Sequence, residues 1–302
     1  MFNQVHDVDL QLLRLFVCVV ECGGFSAAQG ELRIGQSTIS TQMAKLETRL
    51  GYRLCERGKA GFRLTPKGEL VLQATRNLFS SIEVFKSEAQ GMADKLLGEL
   101  SIGLSEALDS QVIERISHAI GCFRKRNQDV QIKLLSAMPA ELERRLLQNQ
   151  LHLAISYFSG QQSALNYHPL FEEQQRLYCG KGHPLFGVPH PGQMQLSACD
   201  GVLHPYRFTS SVEAFKPNYS SVSTEQVEGS LAFILSGAHI GYLPRHVAAP
   251  WQARGLLQVL GPATFEFSVQ FHLANHSARQ PSEAQQALVE DLLMAFAEPE
   301  DV

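Results

Sequence analysis

The chain has 302 residues, 44% of them apolar and 19% charged, with a formal net charge of −4 at pH 7. That length suits two or three domains, and the composition is that of a globular protein. No apolar run reaches the eighteen or so residues a membrane span needs, and the start, Met1 to Asp7, lacks the basic region of a signal peptide, so a cytoplasmic protein without a membrane partner is expected.

Asp9 to Cys22 reads as a helix, with Leu10, Leu13, Phe16, Val17 and Val20 as its apolar stripe and Gly23-Gly24 as its stop. Ser26 to Leu32 is a short helix with Ser26 as candidate N-cap. Arg33-Ile34-Gly35 breaks the chain, and Gln36 to Leu50 is helical again, with Ile39, Met43, Leu46 and Leu50 on one stripe. Ser37, Thr41, Ala44, Lys45 and Thr48 occupy the other face; being small or polar, they allow close approach to a surface. On spacing alone the pair is either a helix-turn-helix or an ordinary helical hairpin. Tyr52–Arg57 and Phe62–Leu64 then alternate charge with bulk around Gly58-Lys59-Ala60-Gly61, as a basic wing. Thr65 caps, and Pro66 opens a long amphipathic helix to about Leu96. From Ser26 to Gly68 eight Lys/Arg face three Asp/Glu, a net of +5, so the remainder carries −9. A basic segment on an acidic body is the split expected of a nucleic-acid reader with a non-binding partner domain.

The long helix repeats Leu72, Thr75, Phe79, Ile82, Phe85, Ala89, Met92 and Leu96. Roughly 45 Å of helix exceeds what one small domain covers. It packs either on its own sensor domain or, the favoured reading, on the same helix of a second chain. Leu97-Gly98 is the expected hinge. Beyond it strands are expected at Leu100–Leu104, Val130–Leu135 and Leu151–Ser156, with helices at Val112–Asn127 and Ala140–Gln148 between them. That order calls for a parallel sheet flanked by helices. A second unit follows, with strands at Tyr167–Phe171, Arg176–Cys179, Gly201–His204, Ser220–Val222, His239–Pro244 and Leu256–Leu260, and helices at Thr224–Gly237 and Arg245–Gln252. Phe265–Leu273 is long enough to cross back, and Ser282–Ala297 closes as a helix.

The N-terminal residues resemble those of LysR-type transcriptional regulators: Leu13-Arg14-x-Phe16, Gly24-Phe25-Ser26-x-Ala28, the run Ser37, Ile39 and Ser40, Leu46-Glu47, Leu50-Gly51, Leu54-x-Glu56-Arg57 and Leu64-Thr65-x-x-Gly68. The likeness is close over about ninety residues and looser beyond. The family's recognition helix usually opens Ser-Gln-Pro, where this chain has Gly35-Gln36-Ser37; it often has Arg or Lys where Thr41 stands, and usually Phe where Cys55 stands. The resemblance implies an α/β protein with an N-terminal all-α winged helix-turn-helix domain (1–65), a long linker, or dimerisation, helix (66–97) and a two-lobed periplasmic-binding-protein-like effector domain (98–302). Lobe one would span about 98–165 and 269–302, and lobe two 166–268. It also implies double-stranded DNA and a small-molecule effector as partners, and a homodimer through the linker helix assembling into homotetramers.

In the reader, Gln36 can pair bidentately with adenine, while Ser37 and Thr38 can touch base edges or a thymine methyl. Ser40, Thr41, Gln42 and Lys45 lie a turn on, and Arg49 farther along; Ser26 belongs to the same surface. Arg53, Arg57, Lys59 and Arg63 suit phosphates or a minor groove. In the sensor, ligands sit at the carboxyl ends of strands, where helix N-termini face anions. That selects Ser105, Ala137, Met138, Tyr157 and Ser159 in the first lobe, and His204, Arg207, Phe208, Thr209 and Thr224 in the second. Arg207 would take a carboxylate, and the aromatics Tyr157, Phe158, Tyr206 and Phe208 suit a partly apolar ligand.

No cofactor is expected. The sequence contains no Gly-x-Ser-x-Gly, no phosphate-binding Gly-rich loop with Lys and no His-Glu-x-x-His, so no enzyme is indicated. The six cysteines form no Cys-x-x-Cys pair, which argues against a disulfide framework or a zinc ribbon. Cys199 is a candidate sensor thiol. The alternative reading is a cytoplasmic small-molecule-binding or catalytic α/β protein that uses its N-terminal helices only to dimerise.

Overall fold

The computed structural model describes residues 6–58, 61–90, 95–188, 191–203, 218–261 and 265–297. The chain divides into two compact units, Met1–Lys86 and Ser87–Val302.

The first unit holds α1 (Asp7–Glu21), α2 (Ala28–Leu32), α3 (Gln36–Leu50), the hairpin β1 (Cys55–Gly58) and β2 (Gly61–Leu64), and most of α4 (Pro66–Gln90). Its core joins Leu12, Phe16 and Val19 of α1 to Ile39, Met43 and Leu46 of α3, with Phe25, Leu54 and Leu72 closing it. Arg33 ends α2 in the left-handed region, at φ 52°. Ser26 is not an N-cap: α2 starts two residues later, behind Ala27, and has no side-chain cap. Thr65 does cap α4, its Oγ1 accepting the Gly68 amide at 2.9 Å. Gly68 fits there because a Cβ would overlap the Leu54 carbonyl. Tyr52 to Leu54 are a turn rather than strand, because Glu47 Oε1 on α3 accepts the Leu54 amide at 2.7 Å and the Cys55 amide at 3.3 Å.

In α4 the expected stripe splits. Leu72 and Thr75 are buried, and Phe79 and Ile82 half-buried, because this face packs on α1; the Arg14 guanidinium lies 5.5 Å from the Phe79 ring centre. Phe85 is instead 68% exposed, together with Leu70 at 73% and Leu78 at 37%. Met92 lies outside the described residues, and Leu96 belongs to a strand. So the expected 66–97 helix is described as Pro66–Gln90, and Leu97-Gly98 is not a hinge but part of β3 (Leu96–Leu104).

The second unit is built on a nine-stranded sheet. β3, β4 (Gln128–Ser136) and β5 (Leu153–Tyr157) are parallel, and α5 (Ser110–Lys125) and α6 (Pro139–Leu147) connect them. The two strands expected between 167 and 179 are one, β6 (Leu165–Gly180), paired antiparallel with β11 (Phe267–His276). The polar run Glu172-Glu173-Gln174-Gln175 hid that continuity in the sequence, whereas Pro169 lies inside the first of the two expected strands. That proline sits where the register shifts and Leu170 bulges out of the ladder, as a residue without an N–H requires. Beyond β6 come β9 (Ile240–Pro244), β7 (Asp200–Leu203) and β8 (Asn218–Ser223), while β10 (Leu257–Val259) pairs with β6. The helices here are α7 (Gln193–Ser197), which the sequence pattern did not reveal, α8 (Val227–Leu235) and α9 (Arg245–Ala253); α10 (Glu283–Ala297) returns to pack on α5 and β3. The expected helix from Thr224 starts only at Val227, behind Gln226. Separate cores lie on the two sides of the β6–β11 pair, one around Ile102, Phe123 and Leu288 and others around Leu177, Tyr178 and Ile234. They define two lobes.

Gly68→Ala is expected to destabilise the first unit by about 2 kcal/mol through overpacking against backbone. Thermal unfolding of the full chain checks it; an unchanged midpoint would mean that α4 does not need this close approach.

Candidate DNA-reading surface and ligand cavity

Helix α3 is anchored on one side and bare on the other. Ile39, Met43 and Leu46 are wholly buried. Gln36, Ser37, Thr38, Thr41 and Lys45 are exposed, and Ser40 and Gln42 half-buried. Its first turn has no side-chain cap, but the Gln36 amide donates to Gln29 Oε1 at 3.2 Å, tying α2 to α3. The Thr41 hydroxyl donates to the Ser37 carbonyl at 2.9 Å, so its methyl and not its donor is offered outward. In the wing Arg53 is exposed, and Arg63 is exposed beside Glu56 at 3.1 Å. The side chain of Arg57 and the whole of Lys59 lie outside the described residues. Ser26 is exposed next to α2.

Arg49 corrects the expectation. Its guanidinium turns inward and pairs with Asp9 of α1, Nη2 donating to Oδ2 at 2.6 Å. Asp9 is wholly buried and also accepts the His6 amide at 2.9 Å. Burial works to raise the Asp9 pKa, but the His6 amide and Arg49 outweigh it and hold the carboxyl below its usual value. Asp9 and Glu47 are the positioning groups that sequence reasoning missed. A carboxylate inside an apolar helix stripe was the available signal for Asp9.

The strand-end residues do gather. Ser105, Ala137 and Tyr157 follow or end the adjacent strands β3, β4 and β5. Two of their amides are already used: Ser105 donates to the Ile155 carbonyl at 2.9 Å and Ala137 to the Leu104 carbonyl at 3.1 Å. That edge therefore offers side chains rather than free N–H groups. Met138 is the N-cap of α6, Ser159 is exposed, and the Tyr157 ring packs edge-on to Phe271 at 6.0 Å. Thr224 lies before α8 against Gly229, its Oγ1 bonded to Gln226. His204, Arg207, Phe208 and Thr209 lie outside the described residues.

A cavity of about 740 Å³ opens elsewhere, between the start of α5, the middle of β6, the start of α9 and the end of α10. Its lining includes Asp109, Arg115, Glu173, Arg245, His246 and Phe296, and none of the strand-end residues. Asp109 caps α5, accepting the Gln111 amide at 3.0 Å. His246 Nε2 donates to the Ala107 carbonyl at 2.8 Å, which turns Nδ1 towards Asp109 at 3.7 Å and Glu173 at 3.9 Å. Glu173 is buried and accepts from Gln175 at 2.7 Å. The size is that of a small-molecule site. Sequence reasoning missed this group because β6 was read as two strands.

A winged helix-turn-helix unit and a two-lobed α/β unit with an interlobe cavity together define a ligand-responsive DNA-binding regulator. Residues 93–297 match the LysR substrate binding domain, and residues 10–69 the bacterial regulatory helix-turn-helix protein, lysR family. The chain is 38% identical over 284 residues, 93% of either protein, to the HTH-type transcriptional activator BauR of Pseudomonas aeruginosa. It is 29% identical over 187 residues to a probable hydrogen peroxide-inducible genes activator of Mycobacterium xenopi, covering 62% of this chain and 97% of that one. Full-length OxyR from Pseudomonas aeruginosa shares the fold, with a TM-score of 0.69 at 19% identity over 97% of this chain and 95% of that one. So does CbnR complexed with its target DNA, at 0.57 and 20% over 95% and 99%. The chain belongs to the LysR family of DNA-binding transcriptional regulators, which carry an effector-binding domain.

Asp9→Asn is expected to lower the stability of the first unit by about 2 kcal/mol at pH 7. Because the folded pKa is depressed, the native contribution is complete above the unfolded carboxylate value of about 3.9 and is lost as pH falls through the folded value. Denaturant titrations of both proteins across pH should therefore converge in acid; a constant gap would refute the assignment.

Proposed function

We propose that the chain reads duplex DNA with the outer face of α3 and regulates transcription in response to a small molecule seated between the two α/β lobes. The observation carrying this reading is the division of α3 into a sealed apolar face and a bare polar one. Gln36, Ser37 and Thr38 lead into the groove, Ser40, Thr41, Gln42 and Lys45 follow, and Arg53, Arg63, Arg57, Lys59 and Ser26 serve the flanking backbone. Arg49 leaves the set, since Asp9 holds it.

Pairing of two chains is assigned to α4. Leu70, Leu78 and Phe85 fall within about 80° of one another around the helix, and all three are exposed. This stripe, not the buried one, would meet the same helix of a sister chain, giving two readers for two half-sites. The effector seat is assigned to the strand-end edge of Ser105, Ala137, Met138 and Tyr157. A second reading puts it in the 740 Å³ cavity; the buried Glu173 and the His246 ring beside it favour a polar ligand there. Cys199 is not assigned a redox role. Burial and then the Asp200 charge raise its pKa, and its thiol donates to the Gln195 carbonyl at 3.1 Å, the reverse of an activated thiolate.

Gln36→Ala should cost about 1–3 kcal/mol of discrimination at one base step. Arg53→Ala should weaken binding to every sequence and cut the log K against log salt slope by about 0.9. Gel-shift titrations on a base-substituted operator series separate the two, and equal effects would undo the roles. Phe85→Glu should shift the oligomer towards monomer in sedimentation; unchanged mass would remove α4 as the pairing element. Ser105→Trp should abolish the effector response with DNA binding intact if the strand-end seat is correct. Ala249→Trp should do so if the cavity is the seat.

A further inference from the structure

Arg279 is a partly buried cation of the second unit without an ion-pair partner among the described residues. It stands in the turn between β11 and α10, and its Nε and Nη1 are dry and without a hydrogen-bond acceptor. Among the described residues no carboxylate lies within ion-pair distance of it. Burial alone pulls its pKa down to about 10. Two guanidinium nitrogens kept from water without an acceptor are unfavourable unless something negative joins them. The turn itself is fixed: the Ser277 amide donates to the Ala164 carbonyl at 2.8 Å, and its hydroxyl to the Ser163 carbonyl at 3.3 Å.

The neighbours are donors as well. His152 precedes β5 and His276 ends its antiparallel neighbour β11, at the same end of that pair. The Ser101 amide donates to His152 Nδ1 at 3.0 Å, and the Ala278 amide to His276 Nδ1 at 3.2 Å. A backbone amide only donates, so each ring keeps its proton on Nε2. Burial and then the Arg279 charge push His152 down to about 3 and lower His276, which favours the uncharged ring in each. One permanent cation and two neutral N–H groups without an acid are the complement of an anion.

We propose that Arg279, with His152 and His276, forms a binding site for a small oxyanion, a carboxylate or a phosphate. The site sits at the start of β5, roughly 16 Å along the strand from Tyr157, and so is separate from the strand-end seat. It does not depend on how the reader binds DNA.

The test uses the full chain, titrated with sodium phosphate or sodium acetate against sodium chloride at matched ionic strength. The thermal midpoint should rise and saturate with at least one of the two anions, and which one does so names the ligand class. In the same titration the imidazole resonances of His152 and His276 should shift as their pKa values climb, because the bound anion offsets the arginine. Arg279→Met should weaken that binding by about tenfold or more, while leaving the midpoint in chloride unchanged or higher. If Arg279→Met fails to fold, Arg279→Lys takes its place, keeping the charge and losing the planar fork, and it too should bind the anion more weakly. Chloride matching both oxyanions, or a variant that responds like the parent, overturns the site.

Discussion

Ile39, Met43 and Leu46 have no access to solvent, and the orientation of α3 follows from that. Three apolar side chains sunk against α1 leave only one face to point outward, and that face carries the hydroxyls, amides and lysine of the proposed reading surface. The Asp9–Arg49 pair then stops α3 from rolling on its support, because a buried carboxylate accepts its partner in one place. Glu47 adds the wing to the same frame by holding the Leu54 and Cys55 amides. Support and reading surface are thus two sides of one fifteen-residue helix, and neither can drift without the other.

How much of this was legible in the sequence depended on where the information lay. The span Gln36–Leu50 came out unchanged because a 3.6-residue period and a flanking Gly at each end state it locally. The Thr65 cap was equally local, whereas the wing begins only at Cys55 because Glu47 of α3 holds the residues before it. The pairing of Arg49 was not legible because its partner lies forty residues earlier on another helix, a relation that periodicity cannot carry. The long helix was extended too far because Leu96 and Leu97 continue an apolar rhythm that a parallel strand also satisfies. Within α4 the stripe was found, but its owner was not. Which leucines are covered depends on what α1 presents, and that is a tertiary fact.

The sensor unit shows the same division. Strand and helix order was legible through β5, where short apolar runs alternate with amphipathic helices. Past that point β6 was cut in two at the polar run Glu172–Gln175, and the interlobe cavity disappeared with the cut. The strand-end residues were found by a topological rule, yet Ser105 and Ala137 spend their amides on neighbouring carbonyls, so recognition there falls to side chains. The charged group of Asp109, Glu173 and His246 comes from three distant segments, and nothing short of the fold brings them together.

The β6–β11 pair has one further consequence. The two lobes are joined by strands hydrogen-bonded to each other over almost their whole length, with a bulge at Leu170 beside a proline. Such a ladder resists stretching and shearing, since either would break its hydrogen bonds, and a bulge concentrates local twist. A twist of one lobe against the other would therefore centre on Pro169 and Leu170, where the ladder is already interrupted, in preference to a slide that breaks it along its length.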